Sequence, residues 1–192
     1  MAEYTKFGAE FLVNTQTSGE QYEPVVARLA DGGFVITWND QYADANSYGV
    51  KAQIYNANGA KVGAEFLVNT STSHEQTNPS IASLANGNFV IAWCDNSGSL
   101  GDSSDWAIKA QIYTMAGAKV GDEFLVNTAT NAAQCNPRMA SLANGNFVIA
   151  WWDYSGQMGD GSDGGLVAQI YSASGQKIGA NFAVNALTVE LR

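Results

Sequence analysis

Acidic side chains crowd into short segments that are also rich in Asn, Ser and Gly, namely residues 39–46, 95–105 and 153–163. Aspartate and asparagine oxygens are the hard ligands that Ca²⁺ prefers. The spacing departs from that of an EF-hand loop, and the closing Glu is absent. We therefore expect either calcium binding, best supported in the second and third segments, or solvated, turn-rich loops. The candidate metal ligands are Asp95, Asp102, Asp105, Asp153, Asp160 and Asp163.

Amide and aromatic side chains accompany these acidic segments. Trp and Tyr offer flat apolar faces to sugar rings, and amides beside them can bond to the ring hydroxyls. The same amides could instead tie a loop to its neighbour, which is the purely structural interpretation. The residues predicted to bind a ligand are Gln21, Gln76, Gln134, Tyr42, Trp106, Trp152 and Tyr154.

Residues suited to covalent or metal-assisted catalysis are few. His74 is the only histidine, and we expect it to be a surface loop residue. Without a second histidine, neither a histidine-based zinc site nor a Ser-His-Asp triad is expected. Cys94 and Cys135 are expected to be free thiols, with a disulfide between them as the alternative. A pair of carboxylates for glycoside hydrolysis stays open as a minor hypothesis. The chain consists of near-identical repeats, and no single copy carries a special acid, so the sequence predicts multivalent binding and no enzyme.

These residues belong to a sequence that repeats itself. The motif Phe-Leu-Val-Asn-Thr begins at Phe11 and Phe66, recurs at Phe124 and returns in a shortened form at Phe182, in steps of 55, 58 and 58 residues. All three prolines and three tryptophans keep the same phase. The sequence therefore predicts one repeat domain over 1–192, with units at about 16–70, 71–128 and 129–186.

Each unit is expected to contain four antiparallel strands. In the second unit Asn86-Gly87 separates two apolar runs and predicts a hairpin, while the run 89–93 is apolar at every position and predicts a buried strand. Residues 108–113 alternate, and 123–127 form the last strand. A further copy of that last strand, at 9–14, is left over at the N-terminus and needs a partner.

Four-stranded units of this length are typical of β-propeller blades. Three blades are too few for an ordinary closed ring, so one option is half of a six-bladed ring made by a dimer. A β-trefoil or a β-prism, which also use three four-stranded units, is the alternative all-β fold. In every case the longer connections lie at one end of the strands, where function is expected to collect.

The composition and net charge of the chain limit the classes of partner that it can bind. The chain carries a net charge of -9 with 14% charged and 46% hydrophobic residues, which indicates a folded, acidic domain. Such a surface repels nucleic acid and anionic lipid, and no apolar run is long enough to span a membrane. No cleavable signal peptide is visible at Met1–Lys6.

The combined motif resembles a repeat of large secreted bacterial and ciliate proteins. The resemblance rests on Phe-x-Val-Asn-Thr, Gln-x-x-Pro, Asn/Asp-Gly-x-Phe-Val-x-x-Trp and Ala-Gln-x-Tyr, and it covers nearly the whole chain. In bacteria these arrays often accompany RTX-type calcium repeats and adhesin modules. The resemblance implies an extracellular or cell-surface, non-enzymatic role. The chain departs from the pattern in the acidic loop, where Asp-Gly occurs only in the third copy, as at Asp160-Gly161.

Two functions are therefore expected from the sequence. The first is a lectin-like or adhesin-type module that binds carbohydrate or a cell-surface ligand through loops at one end, with or without Ca²⁺. The second is a structural or assembly repeat of a larger secreted protein, in which residues 9–14 support a homo-oligomer such as a dimer.

Overall fold

The fold comes from a computed structural model, which describes residues 8–44, 47–103, 105–157 and 164–185. The described residues form strands joined by turns and loops, without a helix that is long and apolar enough to cross a membrane. The strands are β1 (Gln21–Arg28), β2 (Phe34–Asp40), β3 (Gly49–Tyr55), β4 (Lys61–Leu67), β5 (Gln76–Ser83), β6 (Phe89–Asp95), β7 (Ala107–Tyr113), β8 (Lys119–Leu125), β9 (Gln134–Ser141), β10 (Phe147–Asp153), β11 (Gly165–Tyr171) and β12 (Lys177–Ala183).

The strands form three antiparallel sheets of four, and each sheet is one repeat. Sheet 1 has the order β1-β2-β3-β4, sheet 2 the order β5-β6-β7-β8 and sheet 3 the order β9-β10-β11-β12. The first hairpin of each sheet turns at Gly32, Gly87 or Gly145, all with φ 88°. Residues other than Gly rarely adopt this backbone conformation, so the Asn-Gly and Asp-Gly dipeptides identify the turns correctly.

The predicted strand at 9–14 is absent. The fourth strand of each sheet pairs only with the third strand of the same sheet. Residues 9–14 have the sequence of a fourth strand but have no third strand beside them, so their backbone cannot enter a ladder. The four strands of each unit agree with the sequence prediction.

The core lies between the sheets. One cluster joins sheets 1 and 2 and includes Val50 and Trp93; the other joins sheets 2 and 3 and includes Ile108 and Trp151. The tryptophans that end the second strands, Trp38 among them, are at most 3% exposed. They belong to the interior, as their apolar strands predict.

The sheets are arranged as in a propeller. β5 lies between β1 and β9 and contacts both, so the first strands of the three sheets face one another on the inner side. The observed architecture is therefore all-β and propeller-like, with three four-stranded antiparallel sheets, and the expectation of a propeller-like arrangement is met at this level.

A candidate active site between the first strands

A backbone irregularity recurs in the first strand of every sheet. Glu23, Asn78 and Asn136 occupy the same repeat position, each before a proline, and have φ values of 53°, 55° and 54°. The pairing of each first strand with its neighbour shifts register there. Asparagine tolerates positive φ better than other non-glycine residues, whereas glutamate in this conformation is strained. Strain of this kind is found preferentially at functional sites.

These residues meet in a pocket of about 310 Å³ between the three sheets. Glu23 and Pro24 of β1, Asn78 of β5 and Arg138 of β9 are among its lining residues. Glu23 and Arg138 are exposed, so the pocket offers one accessible carboxylate and one accessible guanidinium group to a ligand. Together with the amides, these are the groups that bind and polarise a neutral, hydroxyl-rich ligand.

Hydrogen bonds from two sheets hold the Glu23 carboxylate. The buried Asn39 Nδ2 donates to Glu23 Oε2 at 2.8 Å. With its NH₂ group facing the carboxylate, the Asn78 amide donates to both Glu23 oxygens at 2.5 and 3.2 Å. The other end of that amide lies 3.2 Å from the Asn136 side chain. One carboxylate is thus fixed in orientation by amides from sheets 1 and 2.

Two more carboxylates lie at the same end of the sheets. Glu20 Oε2 accepts a hydrogen bond from the Tyr48 hydroxyl at 2.9 Å, and Glu75 Oε1 lies 3.4 Å from Ser47 Oγ. The Tyr22 and Tyr48 rings meet edge to face, with centroids 5.4 Å apart.

The pKa values of these tyrosines record the acidic surroundings. Burial and the negative charges of Glu23, Glu75 and Glu20 raise the pKa of the Tyr22 phenol. The hydrogen bond to Glu20 is the main cause that raises the pKa of Tyr48 to about 12. Three carboxylates and two aromatic rings therefore share one region of the surface.

The three predicted glutamines have structural partners. Gln76 and Gln134 are fully buried, and Gln21 is partly buried. Each accepts a hydrogen bond from the Asn at the end of the preceding repeat, as Gln76 does from Asn69 Nδ2 at 2.9 Å, and donates to a carbonyl in the intervening loop. These contacts favour the alternative in which the glutamines fix the loop.

Asp95, predicted as a calcium ligand, has a protein cation instead. Its Oδ1 lies 2.8 Å from Lys109 Nζ, and both side chains are fully buried. The same carboxylate accepts hydrogen bonds from Ser97. In the second repeat an ammonium group therefore neutralises the charge that was expected to hold Ca²⁺.

The other predicted metal ligands are dispersed. Asp102 is buried and accepts a hydrogen bond from Asn127 Nδ2 at 2.7 Å, and Asp105 is exposed. Asp153 is buried, and its Oδ1 accepts a hydrogen bond from the Ser155 backbone at 2.8 Å. Within the described ranges no three acidic, His or Cys side chains group around a metal-sized site. Asp160 and Asp163 lie outside the described residues, and calcium binding there stays a prediction.

Of the aromatic residues predicted to bind a ligand, one lies against the core and three are exposed. Trp106 packs against the cluster between sheets 2 and 3, which identifies it as a core residue. Tyr42 is 55% exposed, Trp152 50% and Tyr154 39%. Trp152 and Tyr154, with ring centroids 6.3 Å apart, lie beside a pocket of about 360 Å³ on sheet 3. The structure thus keeps these two together but away from the pocket that contains Glu23.

Several solved structures have a fold similar to that of this chain. An endo-arabinase from Bacteroides thetaiotaomicron is similar at 14% identity and a TM-score of 0.58, over 92% of this chain and 66% of that one. A GH43 endo-arabinanase from Bacillus licheniformis follows at 13% identity and a TM-score of 0.53, over 88% and 61%. A Penicillium chrysogenum α-L-arabinanase complexed with arabinobiose matches at 15% and 0.55, over 86% and 45%.

At these identities the likeness establishes the fold, and the chain spans less than two thirds of the length of these proteins. No protein-family model matches the chain. No curated protein matches it either.

These comparisons contradict the prediction of a non-enzymatic binding module. The structures that share the propeller-like fold are glycoside hydrolases, which are enzymes that process carbohydrate. The expectation that carbohydrate is the kind of partner involved agrees with them. One repeat does carry an acid that the others lack, because Glu23 stands where the other repeats have Asn78 and Asn136.

Sequence reasoning missed Glu23 although a signal was present. The residue before each repeat proline is Glu, Asn and Asn in turn, so the charge differs at a position that is otherwise constant. The sequence does not show that this position has positive φ or that its three copies, Glu23, Asn78 and Asn136, lie together.

Proposed function

We propose that this chain is a carbohydrate-processing module of the glycoside-hydrolase type, acting through the pocket between the first strands. The observation that carries the proposal is Glu23, a strained and accessible carboxylate held by Asn39 and Asn78 at the meeting point of three sheets. Glycosidic bonds are cleaved by carboxylates flanking the bond, and Glu23 occupies a position at which the other two repeats have Asn78 and Asn136.

The surrounding residues suit a sugar polymer. Arg138 supplies hydrogen-bond donors to ring hydroxyls, and the exposed Tyr22 ring offers a flat surface near Glu23. The solved structures of the same fold include arabinanases and an endo-1,4-β-xylanase. We therefore propose a pentose polysaccharide, arabinan or xylan, as the substrate class.

Hydrolysis needs a second carboxylate with a role different from that of the first. One group protonates the leaving oxygen while the other acts as base or nucleophile. Glu20 and Glu75 are the candidates, because the charges of both act on the Tyr22 phenol together with the charge of Glu23. Glu20 is the better oriented of the two, since Tyr48 donates to it at 2.9 Å.

The test is release of reducing ends from arabinan and from xylan by the purified chain. We expect Glu23→Gln to lower the rate by at least about 100-fold, the usual contribution of a positioned acid or base. Glu20→Gln and Glu75→Gln separate the candidates for the second carboxylate, because only the true partner should cause a comparable loss.

Asp122→Asn is the matched control, since Asp122 is an exposed acid on β8 outside the pocket. We expect this variant to keep the activity of the parent chain. Cleavage that survives Glu23→Gln would disprove the assignment of the site, and failure to cleave either polymer would disprove the proposed substrate class.

A further inference from the structure

Residues 9–15 lie on sheet 1 in the place where a preceding sheet would put its fourth strand. Phe11 contacts Tyr55 with ring centroids 5.3 Å apart and planes inclined by 47°. Between sheets 1 and 2, Phe66 contacts Tyr113 at 5.3 Å and 48°. The same aromatic contact is thus made once by a real neighbouring sheet and once by the N-terminal segment alone.

The polar contacts repeat as well. The Thr15 backbone N–H donates to Glu65 Oε2 at 2.8 Å, and the equivalent Thr70 N–H donates to Glu123 Oε2 at 2.8 Å. The Lys61 Nζ atom donates to the Val13 carbonyl at 3.0 Å. The segment therefore reproduces the contacts that one sheet makes with the next.

The segment covers sheet 1 but is itself uncovered. Tyr55 is only 1% exposed, as buried as Tyr113 between sheets. Within the segment, Phe11 is 53% exposed and Leu12 is 64% exposed. The inner side closes over Ile36 and the buried Trp38, leaving a pocket of about 290 Å³. One layer of chain thus protects a face that is otherwise built to meet a sheet.

Sheet 3 leaves the complementary face open. Trp152 is 50% exposed, Leu166 39% and Val184 53%. Their counterparts in sheet 2, Cys94, Ile108 and Val126, are at most 1% exposed because sheet 3 packs on them. Trp152 and Leu166 therefore occupy positions that face the next sheet in the repeat, which accounts for their exposure without a sugar ligand.

We propose that residues 9–15 are a cap on sheet 1, and that the last strand of a second copy of this chain can displace it. Phe182 of β12 is the repeat equivalent of Phe11 and of Phe124, which contacts Tyr171 at 5.6 Å. The open face of sheet 3 would then meet sheet 1 of the second copy, as sheet 2 meets sheet 3 within one chain. The occupant follows from this internal interface, which the chain already builds twice.

The experiment compares the full chain with a chain that lacks residues 1–15, by light scattering after size-exclusion chromatography over a range of concentrations. We expect the truncated chain to associate more strongly, with at least a twofold rise in mass, because the site beside Tyr55 that Phe11 occupies is then open. The same truncation carrying Phe182→Asp should return to the mass of one chain, because the incoming strand loses its anchor.

Circular dichroism shows whether the truncated chain is folded. If it is unfolded, Phe11→Asp in the full chain decides, since this half-exposed side chain can be changed without removing the segment. A folded, monomeric truncated chain would overturn the proposal, as would a folded, monomeric Phe11→Asp chain where truncation unfolds the protein. Association that persists with Phe182→Asp would overturn it too. These outcomes are read from mass and do not depend on glycoside hydrolysis.

Discussion

At the scale of single residues, Glu23 shows how a repeat acquires an asymmetric site. Its backbone is the one that asparagine adopts twice elsewhere, at Asn78 and Asn136, with φ near 54° in every copy. A glutamate placed there gives up backbone stability and gains a carboxylate that faces the centre of the molecule. The hydrolytic role that we propose for Glu23 and the stability of the backbone therefore make opposite demands at this position.

Glu23→Asn tests that competition. We expect the variant to be more stable than the parent by about 1 kcal/mol, because asparagine relieves the strain of positive φ. Activity on arabinan or xylan should fall together with the carboxylate. Urea unfolding and the reducing-end assay measure the two effects on the same preparation, and a less stable variant would show that Glu23 is not strained.

At the scale of elements, ion pairs hold the middle of each of the first two sheets. Lys109 on β7 contacts Asp95 on β6 at 2.8 Å and lies 3.8 Å from Glu123 on β8. Lys51 makes the equivalent pairs in sheet 1. In sheet 3 the position is Val167, so the same fold tolerates an apolar residue in the lysine position.

Lys109→Met should nevertheless be costly, because it leaves Asp95 buried without its cation. We expect a loss of about 3–5 kcal/mol in the free energy of unfolding, the usual cost of removing one partner of a buried pair. Lys119→Met is the control, since the Lys119 side chain is exposed and donates to Thr70 Oγ1. Equal losses in chemical denaturation of the two variants would show that burial of the pair is unimportant.

At the scale of the whole molecule, neutral groups buried between sheets make stability depend on alkaline pH. Burial raises the pKa of the Cys94 thiol from 9.0 to about 12, and burial also raises the pKa of Tyr113 and of Tyr171. The unfolded thiol ionises near 9.0, so the stabilisation is fully present below that pH and is lost as pH rises towards 12.

We therefore expect the free energy of unfolding to fall between about pH 9 and 12, by up to about 1.4 kcal/mol per pH unit for each proton involved. Cys94→Ala should make this decline shallower, because the variant has one fewer group with a raised pKa. Urea titrations at several pH values measure the slope, and identical slopes in the parent and Cys94→Ala would exclude the thiol as a cause.

The amino-acid sequence alone predicts the repeat, the four strands of each unit and the buried tryptophans. It could do so because turn residues such as Asn86-Gly87 and apolar runs such as 89–93 act locally, through backbone conformation and burial. The same local patterns place Glu23 at the start of a first strand.

The contacts made by the loops and by the N-terminal segment follow from the tertiary structure and could not be predicted from the sequence. Asp95 looks like a metal ligand until Lys109, 14 residues away, is found against it, and 9–14 looks like a strand until its missing ladder partner is noticed. Trp152 looks like a sugar contact until it is placed on the face that would meet another sheet. Each outcome depends on which groups from distant segments come together, and repetition in the sequence cannot specify that when one copy differs from the others.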